Sequence, residues 1–151
     1  MPMVPFCTRF SDLAFKEMRT VQIQGSETLP DGVYGFLELY CDEVDCDCRR
    51  VIIQVISPDR EGMIWATIGY GWESVEFYQK AFRPKQMAEE CKGPSLDPLN
   101  AQTPYSSALL HLFEGFLEDE AYVERLKRHY NLFKNAIEGE HRRKKKRRQK
   151  S

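Results

Sequence analysis

A chain of 151 residues is long enough for one domain with a real core and too short for two comfortable ones. Apolar residues at 42% and charged residues at 30% exclude a disordered chain, and no apolar run approaches the roughly 20 residues of a membrane helix. The net charge of −1 conceals an asymmetry: residues 142–150 hold eight basic groups, while fourteen basic against twenty-three acidic residues give the preceding body −9.

The opening stretch, Met1 to Phe10, lacks a basic segment followed by an apolar one, so a cytoplasmic protein without a secretory signal is expected. Ser11 to Met18 reads as a short helix with Ser11 as its cap. Thr20 to Gln24 alternates apolar and polar residues, the period of a half-buried strand. Leu29-Pro-Asp-Gly32 is a turn, and Val33 to Cys41, rich in aromatic and branched residues, is a second strand. Arg49 to Ser57 has five β-branched residues in nine and is the clearest strand. After a loop at Pro58 to Gly62, Met63 to Tyr70 supplies a fourth.

Short links between four strands predict an antiparallel meander, because parallel strands need long crossovers. The helices follow it. Trp72 to Phe82 has Ser74 as a cap, and Thr103-Pro104 reads as a cap with a first-turn proline ahead of an apolar segment from Leu109 to Leu117. Tyr122, Leu126, Tyr130, Phe133 and Ile137 form one apolar stripe on a last helix, with Gly139 as its terminator. The expected architecture is α+β: a four-stranded antiparallel sheet packed by C-terminal helices, comprising residues 1–140, with residues 141–151 a disordered basic tail.

Five cysteines, an odd number with three crowded into eight residues, argue against a disulfide framework. Cys41 ends one strand, Cys48 precedes the next, and Cys46 lies in the loop between them, so the hairpin itself gathers three thiols. Zinc takes thiolates at about 2.3 Å in a tetrahedron, and such a tip can fill three corners. The spacing Cys-x4-Cys-x-Cys is not the common knuckle, and it leaves the fourth corner open among Cys91, Cys7, His111 and the carboxylates Asp42 or Asp45. A distant Cys or His that clamps another segment onto the hairpin is preferred; Cys91 and Cys7 lead without a sequence reason to choose between them, and Cys91 is placed in the ligand set. Arg49 and Arg50 would offset the negative charge. Calcium is disfavoured, since the glycine and terminal glutamate of an EF-hand are absent. Thiols idle in an acidic loop, or redox thiols, are the competing readings.

Tyr40-Cys-Asp followed by Cys46-Asp-Cys-Arg-Arg-Val51, with Ala66-Thr-Ile-Gly-Tyr-Gly-Trp-Glu73 downstream, resembles a family of uncharacterised bacterial proteins. The resemblance spans about residues 19–80 and implies a shared fold module without implying an activity.

In the tail, Arg142, Arg143, Lys144, Lys145, Lys146, Arg147, Arg148 and Lys150 suit phosphate backbones, where each neutralised phosphate releases counterions. No aromatic accompanies them, so contact with RNA or DNA would be independent of sequence. Anionic lipid, a nuclear address and a solubilising tail are the other readings.

No phosphate loop, nucleophile elbow or His-Glu-x-x-His is present. His111 reads as a core residue and His129 as solvated. Trp65, Tyr70 and Trp72 around Gly69 and Gly71 either line a groove or are core aromatics at a strand end. The function expected is a non-catalytic, zinc-stabilised binding module that contacts nucleic acid through its tail. Two rivals stand beside it. One is a small zinc enzyme on Cys41, Cys46 and Cys48 with Glu43 as base. The other is a metal-free interaction domain that dimerises through the last helix.

Overall fold

The computed structural model describes residues 3–150. Its chain order is β1 (Met3–Pro5), a 3-10 turn (Phe6–Thr8), α1 (Ser11–Glu17), β2 (Arg19–Ile23), β3 (Gly32–Cys41), β4 (Arg50–Ile56), β5 (Ala66–Gly71), α2 (Val75–Gln79), α3 (Lys85–Lys92), β6 (Ser95–Leu96), α4 (Ser106–Phe116) and α5 (Glu120–Lys150). The fold is α+β with an antiparallel sheet, as the strand pattern predicts. The four expected strands form β2 to β5, and two short ones extend the sheet to six. β1 and β2 lie end to end along one edge of β3, against residues 39–41 and 32–36 respectively. β6 pairs with β5 at the opposite edge.

Register divides the sheet into two faces. Tyr34, Phe36, Glu38 and Tyr40 of β3 share a face with Val51, Ile53 and Val55 of β4 and Ala66, Ile68 and Tyr70 of β5. That face carries the core. α4 and α5 cover it with Leu109, Phe113, Tyr122, Leu126, Tyr130, Phe133 and Ile137. Burying each such side chain is worth about 1.5–3 kcal/mol. The stripe of the last helix is therefore spent on the chain's own core, which removes the apolar surface a dimer through that helix needs.

The other face carries Leu39, Cys41, Arg50, Ile52, Gly69 and Gly71, and α2 and α3 pack over part of it. The glycines admit the protein's own side chains. A Cβ on Gly69 would lie 2.8 Å from Arg50 Nη2, and one on Gly71 would overlap the Tyr78 phenol. Tyr70 points to the core face between them and Trp65 is buried, so both are core aromatics. The mutation Gly71→Ala should cost about 1–3 kcal/mol by overpacking. A urea midpoint equal to that of the parent would refute the close approach of Tyr78.

Several boundaries depart from expectation. Ser74 caps α2 as predicted, its Oγ accepting from Phe77 N at 3.3 Å. Thr103 does not cap α4; its hydroxyl donates to Trp65 O at 2.7 Å and the helix begins at Ser106. Asp119 receives Ala121 N at 3.0 Å and opens α5. That helix runs through Gly139 to Lys150, so residues 141–150 are helical and continuous with the body. One internal glycine costs about 1 kcal/mol. Against it stand good helix formers, and basic side chains favour a helix C-terminus.

Candidate metal centre

Cys41 is the last residue of β3, on the face away from the core helices, and is fully buried. Beyond it the chain turns, with Cys46 N donating to Glu43 O at 3.3 Å and Glu43 N to Cys41 Sγ at 3.4 Å. The Sγ atoms of Cys41, Cys46 and Cys48 lie within 4.8 Å of one another. A tetrahedral zinc with bonds of about 2.3 Å needs its sulfurs about 3.8 Å apart, so at most about 1 Å of contraction closes the group on an ion.

The loop is held from two sides. Arg49, at φ +47°, adopts the left-handed conformation that a side chain disfavours. Its N–H donates to Tyr130 Oη at 3.2 Å, and its carbonyl accepts from Tyr78 Oη at 2.9 Å. Its guanidinium pairs with Asp47 at 2.9 Å and Glu73 at 3.5 Å and lies over the Phe77 ring. Tyr130 Oη also donates to Asp47, and Lys134 Nζ reaches Glu43 O at 3.0 Å from α5. Strained backbone persists only where its surroundings over-determine it, and α2 and α5 do so here.

Burial alone holds Cys46 and Cys48 in the neutral thiol form. Burial pushes Cys46 up to about 12, and the adjacent Cys48 and Cys41 add to it. Burial likewise raises Cys48, reinforced by Cys41 and opposed by Lys134. Three thiolates this close repel one another, and a divalent ion reverses that balance by deprotonating its ligands.

The remaining candidates are elsewhere. Cys91 on α3 is outside the three-thiol group, although it lines a cavity of about 420 Å³ together with Cys46 and Cys48. Cys7 packs against the core near the N-terminus, and His111 is exposed on α4, contrary to its expected burial. Arg49 is paired with carboxylates, and Arg50 turns along the sheet to donate to Cys91 O at 2.6 Å. The cation that faces the thiols is Lys134, which the sequence reading did not single out. The eight basic residues of the tail are exposed on the last turns of α5.

His129 is the larger correction. Expected in solvent, it is fully buried, with Nδ1 2.7 Å from Glu38 Oε1 and Nε2 2.9 Å from Glu17 Oε1. Glu38 is itself buried on the core face and accepts from Tyr40 Oη at 2.6 Å; Glu17 is also held by Arg128 at 3.0 Å. Phe6 stacks on the imidazole at 4.4 Å. Two carboxylates on two ring nitrogens call for an imidazolium, donating from both. Burial pushes His129 down, yet the hydrogen bonds and charges of Glu38 and Glu17 prevail and leave it raised. Hydrogen bonds from Arg128 and His129 hold Glu17 down at about 2. This is a structural ion cluster that ties α1, β3 and α5 together. The signal was present: Glu38 shares its strand face with Phe36 and Tyr40, and His129 falls three residues after Leu126 and four before Phe133.

Among the described residues no helix is long and apolar enough to cross a membrane. No family model, curated protein or solved structure matches the chain.

Proposed function

We propose that this chain is a non-catalytic binding module whose β3–β4 tip is stapled by zinc and whose α5 presents a basic end to the phosphates of RNA or DNA. The carrying observation is the set of three thiols within 4.8 Å of one another, in a loop immobilised by Tyr78, Tyr130 and Lys134. Thiolate-rich centres favour zinc and are typical of structural sites. The fourth corner falls to Cys91 across the shared cavity, to a loop carboxylate or to a water. A zinc staple gives the tip a fixed shape, and the basic helix end supplies affinity that does not depend on sequence.

Metal analysis by mass spectrometry on tag-free protein purified without chelator tests the staple. About one zinc per chain is expected, lost in Cys46→Ser. Zinc at a thousand times its dissociation constant adds about 4 kcal/mol, and its loss should lower the melting temperature by about 8–16 °C. In Cys91→Ser, weakened metal retention would place that thiol in the centre, and full retention would leave the corner to water or to a loop carboxylate such as Asp42 or Asp45. A metal-free parent whose melting is unchanged in Cys46→Ser would end the proposal.

A further inference from the structure

The outer face of the sheet holds a trench that begins beside the thiol group and runs away from it. It consists of the cavity of about 420 Å³ just described and a second of about 520 Å³, and Arg50, Phe82 and Cys91 line both. Ile52, Met87 and Leu96 make the second cavity apolar along one side, while Phe77 and Ala81 do so in the first.

Arg50 is fixed at the junction. Its Nε donates to Cys91 O at 2.6 Å, and the missing side chain at Gly69 leaves room for Nη2 on the sheet surface. With Nε engaged, the two Nη groups form a two-pronged donor. Its neighbour Arg49 has two carboxylate partners, but among the described residues Arg50 has none. Two acids stand at the rim without pairing with Arg50: Asp97 accepts from Leu99 N and Asn100 Nδ2, and Gln86 Nε2 is 3.5 Å from Glu90 Oε1. Lys80 adds a second cation beside Phe77. A half-buried guanidinium without an anion, set between apolar walls, is complementary to a carboxylate on an apolar body. Glu90 and Asp97 oppose a phosphate dianion more strongly than a monoanion.

We propose that this trench binds a small monocarboxylic acid with an aliphatic body, its carboxylate bridging the two Nη groups of Arg50 and its chain lying against Ile52, Phe82 and Leu96. The acid's body lies in the cavity of about 520 Å³, which neither Cys46 nor Cys48 lines, so the site adjoins the thiol centre at Cys91.

Titration calorimetry of the full chain with decanoate tests it, with decylamine and inorganic phosphate as comparison probes. Decanoate should saturate one site per chain, decylamine should show no saturable binding, and phosphate should bind more weakly than decanoate. Arg50→Gln should weaken decanoate tenfold or more. Because Arg50 also holds Cys91 O, a second variant, Met87→Glu at a half-exposed rim position, adds a carboxylate without touching that hydrogen bond. It should weaken decanoate several-fold at an unchanged melting temperature. Equal binding of decanoate and decylamine, phosphate binding as tight as decanoate, no saturable decanoate binding, or full affinity in both variants would overturn the proposal.

Discussion

Replacing His129 with alanine should lower the free energy of unfolding by about 3–5 kcal/mol, a large part of the total for a single domain. The cost comes less from the lost ring than from what it leaves behind. Glu38 would remain on the core face at 4% exposure, with only the Tyr40 and backbone environment to replace its cation. Removing both charges as Glu38→Leu with His129→Leu should recover much of the loss, because a well-packed apolar pair often equals a buried ion pair. A urea midpoint unchanged in His129→Ala would show that the cluster does not support the fold.

The same cluster fixes a pH optimum. His129 is raised above its ordinary 6.5, so its contribution is complete below pH 6.5 and fades as pH rises through the folded-state value. Glu17 is lowered from 4.5 to about 2, so its contribution is complete above pH 4.5 and fades as pH falls toward 2. These contributions overlap between pH 4.5 and 6.5, where the difference in stability between the parent and His129→Ala should be greatest. Urea melts of both proteins across pH 4–9 would show it. A difference that grew on the alkaline side would contradict an imidazolium.

Deleting residues 142–151 should abolish the salt-sensitive part of nucleic-acid binding. α5 has 31 residues, about 46 Å, and its last buried side chain is Ile137, so its basic end projects about 20 Å. If all eight basic groups neutralise phosphates of duplex DNA, the slope of log K against log salt is about −7, and affinity falls about 10⁴-fold from 50 to 200 mM salt. A helix resting on one strand with half its circumference would give a slope nearer −4. The measured slope therefore distinguishes a helix seated in a groove from one lying along a backbone. Affinity and slope unchanged by the deletion would remove nucleic acid from the proposed function.

The sheet was legible because its signals are local. β-branched residues in β4, turn residues around β3 and short links between strands are enough to place an antiparallel meander. The thiol group was legible for the same reason, since a hairpin brings Cys41 and Cys48 together whatever else the chain does. The remainder depends on distant partners. β1 and β6 have three and two residues and exist because β3 and β5 offer free edges. Arg49 and Arg50 are adjacent and chemically alike, yet one is turned to Asp47 and the other to Cys91 by contacts made by α2 and α3. Gly139 has the look of a terminator, yet its cost of about 1 kcal/mol is outweighed by the run of Glu, Lys, Arg and Gln on either side, and the helix continues to Lys150.

The ties between the two ends of the chain bear on when it can fold. Glu38 waits for His129, 91 residues later; Glu17 waits for the same residue across 112; and Arg9 pairs with Glu140 across 131. β2 to β5 leave the ribosome with a carboxylate on the face that must become the core. Until α5 emerges, collapse of that face would bury Glu38 without its cation. Until α5 supplies His129, closing that face costs either a buried charge or the proton that neutralises it, so the closed sheet gains its full stability only with the last helix.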